Sequence, residues 1–253
     1  MLSKAKIKQV HALELKKHRD EQRVFVAEGS KTVIDLLGAF ACEWIAARPE
    51  WFEAHGELLT SGERIAADRD ELSRASLLKS PPEVLAVFRR CDEDLLTANP
   101  TREWVIALDG VQDPGNLGTI IRTADWFGFT HLVCSPDTAD AFGPKAIQSA
   151  MGSTARVRVH YTDLPAYLRS HPDAVTYGTF TDGHSIYGAP PATSGLLVMG
   201  SEGRGIRPEV ASLIAHRISI PRYPTDHHGA ESLNVAVATA ILCAELRCRT
   251  MPH

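Results

Sequence analysis

The stretch DPGNLGTIIRTA, residues Asp113–Ala124, decides how this chain is read. It follows an apolar run, WVIAL (Trp104–Leu108), that reads as a buried strand. Asp-Pro-Gly turns the chain sharply, and beyond it Ile120, Ala124 and Phe127 recur at helical spacing. Asn is among the best helix N-caps, so the pattern predicts a helix over 116–127 with Asn116 at its cap. Arg122 stands about 600° of helical turn further on and projects away from the apolar stripe. Taken alone, the two residues also read as an ordinary cap and a surface arginine paired with Asp125 at i+3.

Working outward, five more strand candidates follow: HLVCS, ARVRV, AVTYGTF, GLLVMG and HRISI. Helical patterns over 116–127, 144–151, 164–170, 208–215 and 232–249 alternate with them. Such alternation predicts an α/β fold with a largely parallel sheet covered on both faces, whose ligands lie in the loops beyond the strands' carboxyl ends. Residues before this series form a smaller α/β unit: a helix over 4–18, strands at VFVAEG, EWIAA and PEVLAVFRR, and helices at SKTVIDLLGAF and DRDELSRAS. The polar segment Cys91–Glu103 separates the two. The expected organisation is a first domain over 1–95, a linker over 96–103 and a second domain over 104–253.

With 253 residues, 44% hydrophobic and 23% charged, the chain can bury a substantial core. No apolar run approaches the roughly 20 residues of a membrane span, and MLSKAKIKQV lacks the apolar segment of a secretory signal. Cys42, Cys91, Cys134, Cys243 and Cys248 are scattered without metal spacing, which predicts reduced thiols and a cytoplasmic location. The net charge of −4 is unevenly spread. Residues 1–23 carry seven Lys or Arg against three Asp or Glu, a local +4 that leaves −8 for the remainder. Phosphate binding depends on such patches rather than on the sum, although a solvated helix face would look the same.

Two further loops carry chemistry. In LLVMGSEGRGI (Leu196–Ile206) a strand ends at Gly200, and Gly200, Gly203 and Gly205 together bracket Glu202 and Arg204. Glycines at a strand end let a ligand approach the backbone. Their spacing, at positions 1, 4 and 6, differs from the dinucleotide pattern Gly-x-Gly-x-x-Gly. A nucleotide-dependent oxidoreductase is therefore disfavoured. In the third loop a strand ends at Ile220, a polar segment follows, and Ser232, Leu233 and Asn234 open a long helix. That helix is apolar nearly all round through Leu246, as expected where it faces both a sheet and a second body, most simply a partner subunit. The adjacent His227 and His228 lack a third ligand at fixed spacing and point to a solvated loop rather than a metal site.

In this order and spacing, DPGNLGTIIRTADWFGF, VMGSEGRGI and ISIP…ESLNVAVATAI resemble the three motifs of the SpoU/TrmH family of RNA ribose 2′-O-methyltransferases. VFVAEGSKTV and SPPEVLAVF are similar to the small substrate-binding domain of its rRNA-modifying members. The resemblance implies a SPOUT-type trefoil knot, here over about 195–245, that folds around S-adenosylmethionine. It implies a homodimer through the knot region and the final helix, and an RNA substrate, 23S rRNA before tRNA. It implies donor binding at Gly200, Ile220 and Leu233, with Thr179 as a neighbour, and catalytic positions at Asn116, Arg122, Glu202, Ser232 and Asn234. The segment RYPTDHHGA (Arg222–Ala230) is longer than the family's usual loop and puts the contacts near Ile220 in question.

The implied chemistry asks a ribose 2′-hydroxyl, a poor nucleophile near neutral pH, to attack a sulfonium methyl in line. An isolated guanidinium, with a pKa above about 12, is no base. The expected role of Arg122 is to contact an RNA phosphate and the attacking hydroxyl, losing a proton only in a closed, desolvated complex. Asn116 and Asn234 are expected to orient the ribose, Glu202 to steady Arg122 or a substrate group, and Ser232 to bind near the reacting centre. The alternative is an RNA-binding or ribosome-assembly protein that keeps the fold without catalysis, and a retained Arg122 argues against it.

Overall fold

In the computed structural model the described residues are 1–91, 94–190, 192–223 and 232–248. They divide into two compact units, one of residues 1–92 together with 140–156, the other of residues 93–139 and 157–253.

The first unit starts with helices α1 (Lys4–Ala12) and α2 (Lys16–Gln22), where the apolar spacing predicts one helix over 4–18. The break has a buried cause. Leu13 is fully buried at the end of α1, and the Arg19 guanidinium donates to the freed carbonyls of Leu13 and Glu14 at 2.6 and 2.8 Å. Helix-end carbonyls need partners of this kind. The same guanidinium donates to Asp140 Oδ2 at 2.7 Å, tying in the segment 140–156.

Then follow β1 (Val24–Glu28), α3 (Ser30–Leu37), β2 (Cys42–Ala47), α4 (Pro49–His55), β3 (Glu63–Ala66), α5 (Arg69–Ala75) and β4 (Val84–Arg89). The sheet order is β1-β4-β2-β3, with β4 antiparallel to β1 and β2, and β3 parallel to β2. Strand alternation splits β4 cleanly. Val84, Ala86 and Phe88 enter one core with Phe25, Leu36, Phe142 and Ile147, while Leu85 and Val87 enter another with Val10, Leu13, Trp44 and Leu72. With both faces covered, such strands read as continuous apolar runs. The edge strand β3 buries only Ile65 of its four residues, so it carries no apolar pattern to read.

The second unit contains β5 (Trp104–Asp109), α6 (Pro114–Trp126) and β6 (His131–Cys134); α7 (Pro144–Ala150) then lies in the first unit's segment. The chain continues with β7 (Arg158–Tyr161), α8 (Leu164–Arg169), β8 (Thr176–Ser185), β9 (Gly195–Gly200), α9 (Pro208–Ala211), β10 (His216–Ser219) and α10 (Val235–Cys248). All six strands are parallel, in the order β10-β8-β9-β5-β6-β7. The parallel α/β class expected from alternation is present. One face is covered by Leu164, Tyr167 and Leu168 of α8 and Val210 of α9. On α6, Leu117, Ile120, Ile121 and Ala124 are buried, and α10 packs beside it. From β5 the chain runs outward to β6 and β7; from β9 it runs the other way, to β10. The sheet therefore has its switch point between β5 and β9, where open α/β sheets place ligands. The knot expected over about 195–245 spans residues 224–231, which lie outside the described residues, as do His227 and His228. No helix among the described residues is long and apolar enough to cross a membrane.

At the far edge, His131 Nδ1 and His160 Nε2 lie 3.0 Å apart, both rings buried. Burial, then the positive neighbours His131 and Arg158, press the His160 pKa from 6.5 down to about 4. The unfolded chain thus binds a proton that the folded chain refuses between those values, and stability rises with pH across that window. Urea midpoints should fall as pH drops from 6.5 towards 4, and His160→Gln should flatten this slope.

Candidate active site

The local fold around the first loop differs from expectation in one respect. Asp113, not Asn116, caps α6: its Oδ1 accepts from the Asn116 backbone N–H at 2.9 Å, and Pro114 takes the first helical position. Asp caps as well as Asn, and proline's fixed φ suits that position. The consequence is chemical. With capping done by Asp113, the Asn116 side chain is released for other partners.

Those partners come from the other two loops. Asn116 Nδ2 donates to Glu202 Oε1 at 2.7 Å, and Asn116 Oδ1 accepts from Asn234 Nδ2 at 3.0 Å. The direction of this chain is set at its far end. Asn234 Oδ1 accepts from the backbone N–H groups of Ala236 and Val237, at 3.0 and 3.3 Å, and so caps α10. Its amide nitrogen must then face Asn116, and the Asn116 nitrogen must face Glu202. The last link is charge-assisted and the strongest of the series.

The Gly200 loop folds back on its own strand. Ser201 and Gly205 exchange backbone hydrogen bonds at 3.1 and 2.9 Å, and Gly205 adopts φ +66°. A Cβ on Gly200 would lie 2.2 Å from the Gly205 carbonyl carbon and 2.3 Å from the Ile206 nitrogen. Only glycine admits this return, which leaves Glu202 exposed at the loop tip. Thr179 sits one residue past the last β8–β9 pair, Gly178 with Val198. Thr179 and Ile220 are half-buried, and Ser232 and Leu233 are exposed.

Arg122 stands apart. It is exposed, and among the described residues no hydrogen bond or ion pair holds it, neither the expected one from Glu202 nor one from Asp125. On the same side of α6, Trp126 is 84% exposed.

The structure also shows charged residues that spacing did not single out. Asp109, buried at the end of β5, accepts from the Arg207 backbone N–H at 2.7 Å and from its Nε and Nη2 at 2.7 and 2.6 Å. This pairing raises the Arg207 pKa. Asp137, hydrogen-bonded by Ser135 and flanked by Arg207 and Arg204, is held below the usual carboxylate range. A carboxylate closing an apolar strand is a readable signal; its partner 98 positions away is not. No cluster of His, Cys, Asp and Glu among the described residues could hold a metal ion.

A parallel α/β sheet with convergent polar loops at its switch point, in a chain that also carries a separate small α/β unit, defines a class that solved structures share. A Sinorhizobium meliloti rRNA methyltransferase, solved with S-adenosylmethionine bound, superposes with a TM-score of 0.88 at 29% identity, covering 100% of this chain and 97% of that one. A TrmH-family protein from Porphyromonas gingivalis gives 0.86 at 38% identity, covering 98% and 99%. In sequence, a Bacillus subtilis 23S rRNA (guanosine(2553)-2′-O)-methyltransferase is 33% identical over 245 residues, 96% of each chain. The SpoU rRNA methylase pattern matches residues 103–244, and the MRM3-like substrate-binding domain matches residues 4–86. The chain belongs to the SpoU rRNA methylase family.

Because the backbone atoms that Gly200 faces cannot swing aside, Gly200→Ala should destabilise the fold by about 1–3 kcal/mol. Equilibrium urea unfolding at constant m-value would show it, and an unchanged midpoint would mean that the loop does not lie against β9.

Proposed function

We propose that this protein transfers a methyl group from S-adenosylmethionine to a ribose 2′-hydroxyl of 23S rRNA, using Asn116, Arg122, Glu202, Ser232 and Asn234. The reading is carried by one observation: three loops far apart in sequence are joined by the Asn234–Asn116–Glu202 chain at the sheet's switch point. The named rRNA methyltransferases, alike over nearly the whole chain, support the substrate class.

The residues present fit an adenosyl group. Gly200 offers main-chain groups at the end of β9, its missing side chain making room for the returning Gly205–Ile206 backbone, while half-buried Ile220 and exposed Leu233 offer apolar surface. These three and Thr179 would hold it, and when bound it supplies a methyl group already activated by a sulfonium. The protein's share is positioning, which at best contributes roughly 7–11 kcal/mol. The Asn116 and Asn234 amides orient the ribose, with Glu202 fixing the Asn116 amide. Arg122, which has no hydrogen-bond or ion-pair partner among the described residues, turns outward to an RNA phosphate and the attacking hydroxyl, and Ser232 lies beside them. Arginine suits this because its planar fork matches phosphate oxygens.

The first unit selects the RNA through exposed cations of its amino-terminal helices, including Lys4 and Lys8. A trefoil knot and a homodimer through α10 complete the proposal. The 50%-exposed Val237 on α10 and Trp126 on α6 support a covered face there, and a cytoplasmic location accords with five free cysteines.

Incubation with labelled donor should place label in 23S rRNA as a 2′-O-methyl nucleotide; no incorporation into ribosomal RNA or tRNA would leave the non-catalytic reading. Asn234→Asp retains the cap acceptor and loses the amide donor, so it should keep its melting temperature and lose about tenfold or more in kcat. Arg122→Lys should lose activity at unchanged donor affinity. Deleting residues 1–95 would strip Phe142 and Ile147 of their core, so recognition is better tested on the whole chain. Lys4→Glu with Lys8→Glu should weaken RNA binding and flatten its salt dependence, leaving donor affinity unchanged.

A further inference from the structure

We propose that Asp109 and Arg207 form a positioning pair that sets the Asn116–Glu202 contact. The inference rests on the methyl-transfer reading above and names two residues outside its reacting set. The loop that carries Glu202 leaves the sheet at Gly200, and Gly200 is the ladder partner of Asp109. It returns at Arg207, whose backbone N–H and guanidinium both lie on the Asp109 carboxylate. Both ends of the loop are thus pinned to one point on β5. Between them the Ser201–Gly205 bridge closes the loop, leaving Glu202 little freedom in height above the sheet.

The other half of the contact grows from the same point. From Asp109 the chain passes through Gly110, at φ +73° with its N–H on Ser135 Oγ at 2.8 Å, to the Asp113 cap and Asn116. Asp137 adds a second tie: it accepts from Ser135 at 2.6 Å and meets Arg204 of the Glu202 loop at 3.4 Å. Asp109 is buried, and the three groups that meet its carboxylate among the described residues all belong to Arg207, so the pair acts through geometry rather than on substrate. A buried carboxylate deprived of its guanidinium must find another partner, and the loop moves with it.

The Arg207 side chain is 30% exposed, which makes Arg207→Gln the variant to use, with Arg207→Lys as its conservative companion. In ¹⁵N–¹H spectra of the whole protein, the Asn116 side-chain amide is identified by its disappearance in Asn116→Asp, and Glu202→Ala shows where it moves when the contact is lost. Arg207→Gln should shift it part of the way to that position, and Arg207→Lys less. In parallel, kcat for RNA methylation should fall about tenfold or more, with KM for RNA unchanged within about twofold and partial recovery in the lysine variant. An Asn116 amide unmoved in the folded glutamine variant, or an unaltered kcat, overturns the proposal. If that variant does not fold, the same two readouts on Arg207→Lys decide. A wild-type protein that methylates no RNA sinks the methyl-transfer reading instead, while the amide shift still decides whether Arg207 places Glu202.

Discussion

A side-chain amide has one acceptor end and one donor end, and at Asn116 both are spoken for. Asn234 must turn its oxygen to the first N–H groups of α10, so its nitrogen faces Asn116. Asn116 must in turn offer its nitrogen to the Glu202 carboxylate. Helix capping, a local backbone requirement, thereby dictates the polarity of a network that spans three loops. Reversing any one amide would oppose two acceptors or two donors. The energy in each exposed bond is modest; the directional consistency of the set makes the arrangement singular.

The sheet explains why this network lies where it does. Strands β5 and β9 are buried along almost their whole length and can carry no free polar side chain there. Chemistry is displaced to the strand ends, and the switch point leaves an opening between the β5 and β9 loops because their connections depart in opposite directions. Asp109 marks the boundary. It is the last residue of β5, still buried, and its carboxylate is met by the backbone N–H and the guanidinium of Arg207. Arg122 represents the opposite design: a cation on the exposed side of α6 that no other side chain among the described residues engages.

Several features were legible because they follow from short-range rules. Both faces of the parallel sheet are covered, so WVIAL and GLLVMG appear as unbroken apolar runs. The spacing of Ile120, Ala124 and Phe127 locates α6 to within two residues of its start, although Phe127 caps its end half-buried and Leu117 and Ile121 join the buried face in its place. The glycine run after β9 signals a tight return, and the Cβ clash at Gly200 supplies its physical cause. Other features escaped for equally physical reasons. Asp113 and Asn116 are both good caps, and propensity cannot choose between them; proline at the first helical position does. The break between α1 and α2 depends on Arg19 reaching carbonyls at Leu13 and Glu14, which apolar periodicity does not encode.

What the linear chain determined by itself was which residue types stand at which strand ends: the Asn, Arg, Glu, Ser and Asn of the three loops, the glycines among them, and the alternation that makes a parallel sheet. Backbone sterics and apolar periodicity act over a few residues, and they are written locally. Only the tertiary structure decided which of these side chains touch. It joined Asn116 to Glu202 and Asn234, left Arg122 outside that network, paired Asp109 with Arg207, and placed residues 140–156 in the core of the first unit. Such contacts depend on strand order, and strand order is a choice among ways of burying the same apolar faces, made by the whole chain at once.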